Sequence, residues 1–139
     1  MNSNSILPYI DYEAFKRNPK IIIGYSDVTA ILLAIYAQTA ITTYYGPALV
    51  ASFGELLPFV DYTYKYFKEV TMDNTKIPYV FEKPEYWTDE YINWETQDRS
   101  KEKRADCCHT HPMLTLHIGC EIELNSTEKK ISIIKYNRP

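Results

Sequence analysis

The chain has 139 residues and a mass of 16.3 kDa, with 45% hydrophobic residues, 24% charged residues and a net charge of −3. This is the composition of one globular domain at most and not of a disordered chain. With a pI near 5.6 it has no electrostatic footprint for nucleic acid or an anionic membrane, and its longest apolar stretch, residues 30–37, is far short of the ~20 residues of a membrane span.

Residues 20–23 form a short β-branched run that stops at Gly24 and predicts a strand. From Ser26 the pattern turns helical, with Val28, Ile31, Leu32, Ile35 and Tyr36 at spacings of three and four, ending near Gln38. Asp27 and Thr29 fall in the first turn, where polar side chains can accept from orphan backbone N–H groups. Residues 41–45 predict a second strand, closed by Gly46-Pro47. Strand, tight turn, helix and strand make the βαβ unit of an open, mostly parallel sheet.

Residues 49–59 are ambiguous, and residues 60–68 predict a helix with an aromatic face of Tyr64 and Phe67. Two prolines, two tryptophans and mixed charge across residues 78–104 predict an exposed, partly extended segment, ending in a solvated linker at 99–104. Strand character returns over residues 113–124 and 130–134, joined by an Asn125-Ser126-Thr127 turn. That tripeptide also matches a glycosylation acceptor, but with no secretory signal visible the turn reading prevails. The expected fold class is α/β, a partial flavodoxin- or Rossmann-like parallel sheet unit followed by a C-terminal β-rich module. The expected divisions are a partial α/β unit at 1–75, a charged, aromatic connecting segment at 76–104 and a β-rich unit at 105–139. Three cysteines, two of them adjacent, do not suggest a disulfide framework, and a reducing cytoplasm is expected.

Two places carry candidate chemistry. In Gly24-Tyr25-Ser26-Asp27 the serine lies between a strand end and a helix start, where its hydroxyl projects from a sharp turn and the Asp27 N–H points toward a developing oxyanion. The usual second glycine two residues on is replaced by Val28, and the competing reading makes Ser26 a helix N-cap. In Cys107-Cys108-His109-Thr110-His111, thiolates and imidazoles invite zinc, with Cys120 and His117 as the remaining ligand candidates. Adjacent cysteines strain a shared ion, however, and no second pair is present; His109 as a general base, or plain loop residues with small buried thiols, are the other readings.

Taken together, residues 7–30, Thr43-Tyr-Tyr-Gly-Pro47, Ser52-Phe-Gly-Glu55 and the block His109-Thr-His-Pro-Met-Leu-Thr-Leu-His-Ile-Gly119 resemble the LD-carboxypeptidase family of serine peptidases, which includes the microcin C self-immunity proteins. The resemblance covers most of the chain and is weakest across residues 61–104. It implies Ser26 as nucleophile, the Asp27 N–H as one oxyanion donor and His109 as general base. It implies a small peptide or peptidyl-nucleotide substrate, no metal or organic cofactor, no nucleic acid or membrane partner, and a possible homodimer. Residues 44–54 are expected near the nucleophile, and Trp87 and Trp94 either flank the pocket or pack in the core or an interface. The family's triad is Ser-Glu-His, but the glutamate motif is not found here, and Cys108 replaces the glycine usual before the histidine. Family members are also longer, with an α/β half before the serine. The expectation is a shortened member with little activity alone, or a non-catalytic remnant or subunit that acts by binding.

Overall fold

A computed structural model describes residues 2–54, 59–73, 76–85 and 113–136. A 3₁₀ turn, Ser3–Tyr9, and a short helix α1, Tyr12–Arg17, come first. Asp11 caps α1 by accepting from the Ala14 N–H at 2.8 Å, and Lys16 and Arg17 sit at its C-terminal end. Both elements pack on α2 (Thr29–Thr39).

The βαβ unit is present but tighter than the sequence pattern predicts. β1 is Ile23–Gly24 rather than residues 20–23, and β2 is Tyr44–Tyr45 rather than 41–45. The two strands pair in parallel, Ile23 with Tyr44 and Gly24 with Tyr45. Between them a 3₁₀ turn, Ser26–Val28, leads into α2, which buries Leu32 and Ile35 and ends at Ala40 in the left-handed region. The fully buried Thr43 donates its hydroxyl to the Leu32 carbonyl at 2.9 Å, tying the start of β2 to the helix.

The predicted strand over 113–124 is two strands. β4, Leu116–His117, joins the first sheet, antiparallel to β2, with Tyr44 opposite His117 and Tyr45 opposite Leu116. The break at Ile118-Gly119 turns the chain into β5, Cys120–Asn125. Gly119 has φ +92°, and a Cβ there would overlap the Tyr36 ring, so both its backbone and its neighbour require glycine.

β5 pairs with β6, Lys130–Tyr136, around a turn at residues 126–129. β3, Tyr79–Phe81, adds to the other edge of β6, giving the order β3-β6-β5. Part of the segment expected to be exposed is therefore sheet, and Phe81 is buried because its alternate positions face the core.

Helix α3 runs Phe59–Thr71 and covers this second sheet. Its inward face is not Tyr64, which is 54% exposed, but Thr63, Tyr66 and Val70, spaced at three and four. Tyr66, Val70, Phe81 and Ile133 form the core, with Tyr62, Tyr79 and Leu116 packed against it. Phe67 instead meets Phe53 edge-on, with ring centroids 5.2 Å apart. Among the described residues no helix is long and apolar enough to cross a membrane.

Ile133 is fully buried at the centre of this core. Ile133→Ala removes three carbons from a closely packed site and should cost about 2–5 kcal/mol, read as a lowered urea midpoint with an unchanged slope.

Candidate functional site

The backbone turns sharply where β1 gives way to α2. Gly24 and Tyr25 are extended, Tyr25 at φ −145° and ψ 179°, and Ser26 then swings to φ +57°. This left-handed conformation costs a non-glycine residue roughly 1–2 kcal/mol, so the surroundings must hold it. They do so on several sides. The Gly46 N–H donates to the Gly24 carbonyl at 3.0 Å, the Thr29 N–H donates back to the Ser26 carbonyl, and the Val28 side chain fills the space beside Gly24. A Cβ on Gly24 would lie 2.9 Å from a Val28 methyl carbon, which explains a glycine two residues before the serine and a valine two residues after it.

Ser26 itself is exposed at the head of the helical segment. It is not a capping residue: the positions that lead into the 3₁₀ turn and into α2 are Tyr25 and Val28, and neither makes a side-chain capping bond. Asp27 also departs from the expected first-turn role. Its carboxylate accepts from Ser3 instead, from the hydroxyl at 2.6 Å and from the backbone N–H at 3.0 and 3.3 Å. The left-handed step at Ser26 redirects the following side chain from its own helix to the N-terminal turn. Ser3 has no sequence signal, because a lone serine 24 residues away carries no pattern.

Sheet pairing assembles the rest of this edge. β1 and β2 are parallel, so Ser26 and Gly46-Pro47 follow the carboxyl ends of neighbouring strands, the edge at which open α/β sheets present their sites. β4 runs the other way, so the chain enters it from that same edge, with Thr115 against Gly46. Gly46, in the segment expected near the serine, is thus bonded to Gly24, two residues before Ser26. After Pro47 the chain makes a compact turn in which the buried Ser52 accepts from the Ala48 N–H at 3.1 Å.

His109, Cys107, Cys108, His111, Trp87 and Trp94 lie outside the described residues. Of the remaining zinc candidates, Cys120 donates its thiol to the His117 carbonyl at 3.1 Å, and burial raises its pKa. Among the described residues no group of three or more His, Cys, Asp or Glu is placed to hold a metal ion.

His117 has a different character. Its ring lies between Tyr44 and Tyr136, with centroid separations of 5.0 and 4.7 Å. Its Nδ1 is buried and, like Thr115 Oγ1, has no partner among the described residues. Burial lowers its pKa to about 4.

The LD-carboxypeptidase N-terminal domain family matches residues 1–46. A carboxypeptidase-named protein of Vibrio cholerae is 59% identical over 100 residues, covering 72% of this chain and 30% of that protein. The microcin C7 self-immunity protein MccF of Escherichia coli is 55% identical over 93 residues, covering 67% of this chain and 27% of that protein. These matches therefore span less than a third of the length of either curated relative. Among solved structures, MccF in complex with glutamyl sulfamoyl guanosine superposes on 99% of this chain and 74% of its own, at a TM-score of 0.83 and 27% identity. An MccF-like protein from Bacillus anthracis covers 76% of this chain and 29% of its own, at a TM-score of 0.60 and 33% identity. This likeness bears out the expected α/β fold class.

The His117 environment sets a pH dependence. Its folded pKa, about 4, lies below the ordinary 6.5, so the unfolded chain binds the proton more readily. The contribution is constant above about pH 6.5 and is lost progressively as the pH falls from there toward 4. Urea midpoints measured across this window should decline less steeply in His117→Phe than in the parent chain.

Proposed function

We propose, from the match of residues 1–46 to the LD-carboxypeptidase N-terminal domain family, that the chain is a serine-type hydrolase of amide bonds with Ser26 as its nucleophile. The observation that carries this reading is an exposed serine at φ +57° between a parallel strand and a helix. A nucleophile needs such a turn because it projects the hydroxyl clear of the backbone while leaving the next N–H free to meet the substrate.

In the proposed reaction Ser26 Oγ attacks the scissile carbonyl as His109 takes its proton. The Asp27 N–H, at the positive end of the helical segment, donates to the oxyanion of the tetrahedral intermediate. His109 then returns the proton to the leaving amine, and water repeats the sequence to release the acyl group. His109 closely precedes Met113 in sequence, and the chain enters β4 at the edge that carries Ser26, which supports the pairing of the two.

The substrate class follows the relatives. One is a self-immunity protein whose structures hold aminoacyl sulfamoyl nucleosides, and another, from Bacillus subtilis, is named for murein peptide carboxypeptidase activity. A small peptide or peptidyl-nucleotide, acted on in the cytoplasm by a monomer or homodimer, is the corresponding proposal here. No triad glutamate is identifiable in the sequence. An imidazole without that partner loses its fixed tautomer, and the rate of the chain alone is expected to fall by a factor near 10⁴.

A fluorophosphonate probe tests the nucleophile. Intact-mass analysis should show one adduct on the parent chain and none on Ser26→Ala or His109→Ala. A folded parent chain that takes no label would remove the catalytic reading and favour a remnant or subunit that acts by binding.

A further inference from the structure

We propose that Ser3 is a positioning residue for the Ser26–Asp27 turn, an inference that rests on the nucleophile reading above. Ser3 opens the N-terminal 3₁₀ turn and is buried. Both of its hydrogen-bond donors go to one group: the hydroxyl to Asp27 Oδ2 at 2.6 Å, and the N–H to Oδ2 at 3.0 Å and Oδ1 at 3.3 Å. A carboxylate gripped by two donors on a single residue is fixed in direction as well as in place.

The position of that carboxylate gives the contact its meaning. Asp27 follows the one residue of the β1–α2 connection with positive φ, and such a conformation persists only where its neighbours over-determine it. On the sheet side the turn is held by the Gly46–Gly24 bond and by Val28 against Gly24. On the opposite side Ser3 holds it from 24 residues away in sequence. There is also an electrostatic reason. The residue whose N–H is to meet an oxyanion carries a negative side chain, which would oppose the charge developing in the transition state. Two donations from Ser3 draw its charge toward the N-terminal turn, leaving the backbone N–H as the group presented to substrate. Both hydrogen-bond donors of Ser3 go to Asp27, so Ser3 acts through that side chain.

The test compares the full chain with Ser3→Ala, Ser3→Thr and Asp27→Asn, each checked for folding by circular dichroism. Two quantities are read: the rate of fluorophosphonate labelling of Ser26, and the amide exchange rate of Thr29, whose N–H donates to the Ser26 carbonyl. Loss of a charge-assisted clamp should slow labelling and speed Thr29 exchange by about tenfold each in Ser3→Ala, with exchange at Leu32 and Ile35 unchanged. Ser3→Thr, which keeps both donors, should restore both values. A parent-like labelling rate and Thr29 exchange in Ser3→Ala, with faster exchange only in residues 3–17, would reduce Ser3 to a latch for the N-terminal turn and overturn the proposal. If the parent chain takes no label, the nucleophile reading fails by itself. Thr29 exchange then decides the clamp, a tenfold rise supporting it and no change overturning it. Should Ser3→Ala not fold, Asp27→Asn, in which the donors meet a neutral carbonyl, is read by Thr29 exchange alone, because loss of the Asp27 charge alters labelling by itself; a rise smaller than tenfold supports the clamp and no change overturns it.

Discussion

The first sheet depends on the short segment Thr43 to Gly46, around β2, having to satisfy backbone hydrogen bonds on both of its edges. On one side the Tyr44 N–H reaches the Ile22 carbonyl at 2.9 Å and the Gly46 N–H the Gly24 carbonyl at 3.0 Å; on the other the Ile118 N–H donates to Thr43 at 2.7 Å. A buried backbone group left unpaired costs as much as a lost hydrogen bond, so a two-residue strand is stable here only as the centre of its sheet. Parallel pairing to β1 requires the α2 crossover, and antiparallel pairing to β4 fixes the edge from which the C-terminal chain arrives. The placement of the Ser26 turn, Gly46 and Thr115 at one edge of the sheet follows from that double pairing.

The second sheet is held by tyrosines as well as by the aliphatic Val70 and Ile133. Tyr66 is almost fully buried, so its hydroxyl must find a partner, and it accepts from the Glu82 N–H at 2.7 Å. Tyr62 donates to the Glu82 carbonyl at 2.6 Å, and Lys65 meets the Glu82 carboxylate at 2.6 Å, so one residue after β3 receives α3 at three points. Tyr79 donates to the Glu69 carboxylate. Burial raises the pKa of Tyr62 and of Tyr79, the latter also raised by Glu69, which keeps these hydroxyls neutral and donating. The exposed Lys65–Glu82 pair contributes little by itself; the buried rings and aliphatic side chains, with the satisfied tyrosine hydroxyls, contribute more.

The two sheets meet around His117. It belongs to β4 in the first sheet, yet its ring packs on Tyr136 of β6 in the second as well as on Tyr44 of β2. A neutral imidazole suits that position because the ring is buried and its Nδ1 has no partner among the described residues. Cys120, adjacent to it, behaves as a small apolar residue whose thiol returns to the His117 carbonyl.

Much of the βαβ unit was legible because its signals are local. Alternation of β-branched runs with a three-and-four spacing marks the order strand, helix, strand, and glycine with proline marks where the second strand stops. The residues of the sharp turn were legible as a motif for the same reason. Strand ends were not, since a residue is in a strand only if a partner lies beside it, and partners come from distant sequence; hence Ile23–Gly24 and Tyr44–Tyr45 in place of longer runs. The aromatic face read at Tyr64 and Phe67 is not the buried one, because the seven apolar or aromatic positions of α3 form a wide arc and the sheet beneath selects Tyr66 and Val70 from within it. By itself the sequence determined the fold class, the family likeness and the position of the serine turn, all properties of neighbours along the chain. Tertiary structure alone decided that Ser26 adopts φ +57° and leaves capping to no side chain, that Asp27 turns to Ser3, and that His117 is buried between two rings. Each of these depends on groups brought together across the fold, where burial and hydrogen-bond satisfaction outweigh local preference.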